Sequence, residues 1–176
     1  MIIKTALLAG LLAASGSAFA ATDFTGTAVT ATLLYPNTAT VYAGPATATV
    51  GAGVEFPGGA FAPANGSIDV GAHGFTYFTN ASGQYSTAPF NGYRLDFAKR
   101  IAVVTLDPAS TLTPVDYSFS GKSVFFNVSG RSFNSGQSTT FDVAAVPEAA
   151  TWAMMVAGFG LVGASVRRRR GSIVAA

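Results

Sequence analysis

Few residues in this chain are equipped for acid–base, nucleophilic or metal chemistry, and the first is its single histidine, His73. An imidazole titrates near neutral pH and is the commonest general base. His73, however, sits in Gly71-Ala72-His73-Gly74, with no G-x-S-x-G elbow and no ordered Ser, His and Asp signature elsewhere. It reads as a surface residue of a turn. With one histidine and no cysteine, a zinc ion would have to complete its ligands from carboxylates, and no D-x-D-x-D-G loop raises the case for calcium. Glu55 and Asp96 are the carboxylates that folding would have to bring together for glycosidase chemistry. Both lie in strand-like runs and read as solvent-facing charges, while Asp107-Pro108 and Asn65-Gly66 read as turns. No catalytic residue, metal site or cofactor is expected.

The other stretch with a chemical fate is C-terminal. Pro147 keeps the residues beside it extended and cannot donate a backbone hydrogen bond, which suits a protease site at Pro147-Glu148. Residues 149–166 then run for 18 positions without a charge. As a helix they would measure roughly 27 Å, close to the ~30 Å of a bilayer's hydrocarbon core. Gly158, Gly160 and Gly163 weaken a water-soluble helix, yet are ordinary in a membrane, where they let another helix approach. Trp152 suits the outer interface, at headgroup depth. Arg167, Arg168, Arg169 and Arg170 follow at once. Each arginine costs about 2.5 to 3.5 kcal/mol at the centre of a membrane helix, so the cluster should halt translocation and stay in the cytoplasm. The expected layout is a sorting signal over residues 146–170, a transmembrane helix over 149–166, and a cytoplasmic tail over 171–176.

The order V-P-E-A-A-T-W-A-M-M-V-A-G-F-G-L-V-G-A-S-V-R-R-R-R resembles the PEP-CTERM sorting signal of Gram-negative bacteria. Pro147 and Glu148 match the first two positions of that family's Pro-Glu-Pro motif, whereas Ala149 stands where the second proline usually does. Trp152, Gly158 and Gly160 fit its W-A-M-M-x-x-G-F-G variant. The resemblance implies a membrane-embedded, exosortase-type protease that cuts near the motif. It also implies association with exopolysaccharide or biofilm matrix.

The N-terminus agrees with export. Residues 1–20 have a lysine at position 4, an apolar core over 6–14, and Ala18-Phe19-Ala20 as an A-x-A cleavage site, so a secretory signal peptide is expected to leave a mature chain starting at Ala21. Sec-type export machinery is then a partner, as is the lipid bilayer. Without the two ends, the body keeps five basic residues (Arg94, Lys99, Arg100, Lys122, Arg131) against seven acidic ones (Asp23, Glu55, Asp69, Asp96, Asp107, Asp116, Asp142), a formal charge of −2. The alkaline pI of 9.1 therefore belongs to the terminal segments and lends no support to a nucleic-acid partner.

Body residues 21–145 suffice for one hydrophobic core, and without cysteine that core has no disulfide to help it. Apolar residues recur at spacing two, the period of a half-buried strand. Over 24–35 this puts Val29, Ala31, Leu33 and Tyr35 on one face with threonines between them. Similar runs occupy 48–56, 67–70, 75–79, 93–97, 101–106 and 138–144, and Gly121-Lys122 makes a hairpin turn between 116–120 and 123–128. Roughly seven to nine short strands without an amphipathic helix predict an all-β body, a β-sandwich or jelly-roll-like fold. The pieces at 53–56, 90–93, 105–110 and 125–136 look like a body common upstream of this sorting signal, an all-β sandwich of unassigned activity.

Three functions fit these expectations. The favoured one is an exported, non-enzymatic protein whose role is to be sorted and trimmed. A carbohydrate-binding or ice-binding module is the alternative; the first would expose two or three coplanar aromatic rings, and the second would show thermal hysteresis. A secreted hydrolase ranks last and would need a cleft with two carboxylates or a metal site.

Overall fold

The computed structural model of the chain describes residues 23–61, 66–113, 115–146 and 149–171, with side chains in the last segment described at 152–164 and 167. Its strands are β1 (Ala28–Leu34), β2 (Val41–Thr49), β3 (Gly66–Gly71), β4 (Gly74–Thr79), β5 (Gly83–Gln84), β6 (Gly92–Phe97), β7 (Ile101–Leu106), β8 (Asp116–Ser120), β9 (Ser123–Asn127), β10 (Ser132–Phe133) and β11 (Ser138–Ala145), followed by helix α1 (Ala149–Gly171). One antiparallel sheet has the order β2-β1-β6-β9-β8, the other β3-β4-β11-β7, and β10 with β5 makes a short ribbon. The expected all-β body is present.

Spacing-two patterning explains why the sheets face each other. Val29, Ala31 and Leu33 of β1, Tyr93, Leu95 and Phe97 of β6, and Val124 and Phe126 of β9 turn to one side and are buried. They form a single cluster with Ile68, Val70, Phe75, Tyr77, Phe141 and Val143 of the opposite sheet. Phe126 is the pivot: its ring centroid lies 5.7 Å from Phe75, 5.4 Å from Tyr77, 5.2 Å from Tyr93 and 5.6 Å from Phe141. Large aromatic areas removed from water do here what disulfides do in many exported domains. The Gly121-Lys122 turn falls as expected, with Gly121 at φ 62° in the first central position of a two-residue hairpin.

Several expectations need correction. The strand expected at 48–56 lies earlier, at Val41–Thr49, and residues 50–56 form a loop joined to β3 by one bridge between Phe56 and Ile68. The reason is that β2 is a sheet margin whose inward face holds only the half-buried alanines Ala43, Ala46 and Ala48, a weak apolar signal. Gly44 (φ 90°) and Pro45 sit where β2 gains an extra residue against β1. That bulge, and a proline without an N–H, are tolerated only at a margin. Tyr35 lies just beyond β1, and Gly66 opens β3 instead of closing a turn; Asn65 lies outside the described residues. The other margin of the same sheet, β8, is exposed at every residue, including Tyr117 and Phe119.

Helix α1 runs past Val166 to Gly171, because arginine favours a helix nearly as well as leucine does. Its described side chains from Trp152 to Ala164, and Arg167, are exposed and apolar on all sides up to the arginine. The membrane span expected over 149–166 is not reproduced: among the described residues no helix is long and apolar enough to cross a membrane.

Candidate functional site: the body's C-terminal exit and an aromatic pocket

The last body strand delivers the chain to the expected cleavage motif. β11 ends at Ala145, and the Val146 amide still donates to the Arg100 carbonyl at 2.7 Å. Pro147 and Glu148 follow at once in the sequence and lie outside the described residues, as do Ala18, Ala20 and Ala21 of the expected signal cleavage. Trp152, Gly158 and Gly160 all lie on α1, with Trp152 about half exposed. A Cβ added at Gly158, Gly160 or Gly163 would meet nothing within 4 Å beyond the helix's own backbone, so this surface is open to lipid or to another helix. Arg167 is exposed, and the backbone of Arg168, Arg169 and Arg170 continues α1.

The carboxylates considered for hydrolysis are not brought together. Glu55 lies in the loop before β3, where its carboxylate accepts the amides of Gly51 at 2.9 Å and Val70 at 2.7 Å. Asp96 lies on β6 of the other sheet, accepting from Arg94 Nε at 2.9 Å and from Ser123 Oγ at 2.5 Å. Each carboxylate has a structural duty. His73 is exposed in the β3–β4 turn, where its carbonyl accepts the Val143 amide at 2.8 Å. It borders a shallow groove of about 270 Å³ with Asp69, Thr76, Thr140 and Asp142. Desolvation, and then the charge of Glu55, hold the Asp69 carboxyl above its usual range. Among the described residues no three His, Cys, Asp or Glu side chains come together to hold a metal ion.

A second cavity, of about 220 Å³, was not anticipated from the sequence. Tyr35 and Tyr42 stand at one side, with ring centroids 5.8 Å apart and the rings nearly perpendicular. Tyr85, stacked on Phe133 at 4.3 Å, lines it as well, and Tyr93 and Leu33 of the core contribute to its wall. Gln84 and Asn91 supply amides. The one available signal was the recurrence of tyrosines beside turn residues, in Tyr35-Pro36-Asn37 and Asn91-Gly92-Tyr93; nothing in it says that these turns meet.

Behind the cavity, the Tyr85 and Tyr77 hydroxyls meet at 2.5 Å. Burial is the main reason that Tyr77, Tyr85 and Tyr93 hold their protons well above the ordinary tyrosine range, and the neighbouring phenols add to it. An unfolded chain would release these protons near pH 10. The folded state thus binds more protons, and stability, fully present below about pH 10, falls as pH rises beyond it. Urea midpoints measured between about pH 8 and about pH 11 should fall steadily above 10. The double variant Tyr77→Phe/Tyr85→Phe should show a shallower fall, and parallel curves would sink this account.

Residues 145–170 match the PEP-CTERM protein-sorting motif. No curated protein and no solved structure matches the chain.

Proposed function

We propose that the PEP-CTERM motif is the working part of an exported, non-enzymatic passenger protein. The motif itself marks an exported, membrane-associated substrate of an exosortase-type protease. Sec-type machinery carries the chain across the inner membrane, and the signal peptide leaves before Ala21. Helix α1 holds the chain in the bilayer with the arginine cluster inside and the β-sandwich outside. Cleavage near Pro147-Glu148 then frees the body, which is released or placed at the cell surface in association with exopolysaccharide.

One observation supports this above the rest. The last strand, β11, ends at Ala145, two residues before Pro147. A cut near Pro147-Glu148 would fall beyond that strand and leave every described strand in the freed sandwich.

Orientation supplies the test. Replacing Arg167, Arg168, Arg169 and Arg170 by Asn removes the positive charge that keeps the tail inside. A reporter fused after Ala176 and active only outside the cytoplasm should switch from silent to active. An unchanged topology would count against the arrangement.

A further inference from the structure

The geometry points to a saccharide-binding site in the tyrosine-lined cavity, one that takes one or two neutral sugar rings of a glycan chain. Size is the first ground. At about 220 Å³ the cavity is smaller than the roughly 300 to 1,000 Å³ that drug-sized ligands occupy, so it suits a short piece of a longer polymer.

Chemistry is the second. Pyranose rings present C–H faces that pack on aromatic rings, and hydroxyls that seek hydrogen bonds. Tyr42 is about half exposed, at 53%, although burial would remove its ring from water. Tyr35 and Tyr85 are half-buried beside it, with apolar ring surface and a hydroxyl each. The amides are already oriented from behind: Asn91 Nδ2 donates to the Ser86 carbonyl at 2.9 Å and Gln84 Nε2 to the Gly130 carbonyl at 3.3 Å. That leaves the two amide oxygens as acceptors for ligand hydroxyls.

Charge is the third ground. Among the described residues lining the cavity none is charged. A uronate, sulfate or phosphate would find no counter-ion here, whereas a neutral sugar needs none. The site is also prearranged. Phe133 stacks on Tyr85, and the Tyr85 hydroxyl meets that of Tyr77, so the Tyr85 ring is held before any ligand arrives.

The experiment uses the full chain recovered from membranes in a detergent without a sugar headgroup. Calorimetry and saturation-transfer NMR would follow β-1,4-glucan, β-1,4-linked N-acetylglucosamine and α-mannan tetramers, with an alginate tetramer as the acidic comparator and an uncharged tetrapeptide as the peptide comparator. At least one neutral sugar should bind in the micromolar to millimolar range. Tyr42→Ala and Gln84→Ala, both at exposed positions, should each weaken it by about tenfold or more with an unchanged urea midpoint. Failure of all three neutral sugars to bind would overturn the proposal, as would binding that neither substitution weakens. Tighter binding of the alginate or the peptide would overturn it too. None of these outcomes bears on trimming at the C-terminus, which is read by the length of the chain.

Discussion

With Pro147 and Glu148 both replaced by Ala, the chain should accumulate at full length in the membrane fraction, and the trimmed form should disappear. The last strand of the body, β11, ends at Ala145, so both replaced residues follow it in the chain and every described strand is kept. Proline cannot donate a backbone hydrogen bond and biases its predecessor toward extended backbone. Alanine lifts both restrictions and lets helix α1 begin earlier, since alanine is the best helix former. The expected change is close to all-or-none, read as intact mass and as partition between membrane and medium. A variant trimmed at the normal rate, to the normal end, would remove Pro147-Glu148 from the recognition event. Gly158→Leu with Gly160→Leu is a useful companion, because the added side chains meet open space and alter only the surface offered to a neighbouring helix.

The second large effect lies in the core. Phe126→Ala should cost about 3 to 5 kcal/mol, the usual range for a buried phenylalanine cut to alanine. Phe126 is fully buried and touches rings from both sheets, so no single neighbour can move to fill the gap. A domain of this size is stable by about 5 to 15 kcal/mol, and this one has no disulfide to limit its unfolded state. The loss should appear as a much lower urea midpoint and as reduced export. Phe126→Leu, which keeps most of the volume, should cost about 1 kcal/mol. Equal midpoints for Phe126→Ala and the parent would refute the placement of this ring.

What could be read from the chain before folding follows from how much of each signal is local. Strands β1, β3, β4, β6, β9 and β11 bury one face, so their apolar residues alternate and betray them, whereas β7 was legible only as an apolar run, its buried Ile101 and Val104 lying three apart. β8 was legible through its hairpin turn despite being exposed throughout. β2 was misplaced because the inward face of this margin strand holds only the half-buried alanines Ala43, Ala46 and Ala48, too small to stand out among its threonines. The two-residue strands β5 and β10 are too short for any period. The sorting motif was fully legible, since proline, tryptophan, glycines and arginines at set offsets are a property of sequence alone. The tyrosine cavity was not. Its lining comes from the end of β1, from β2, from β5 and from the approach to β6, which become neighbours only when the sheets close.

The unlike margins of the five-stranded sheet limit how freed bodies can crowd together. A second molecule could lay its β8 beside this one, because that margin offers an uninterrupted row of amides and carbonyls. In this sheet the pair so formed would present β2 outward at both ends, where Pro45 withholds an amide and the bulge throws the ladder out of step. Growth through this sheet would halt at two, which sets a barrier to fibres built along it.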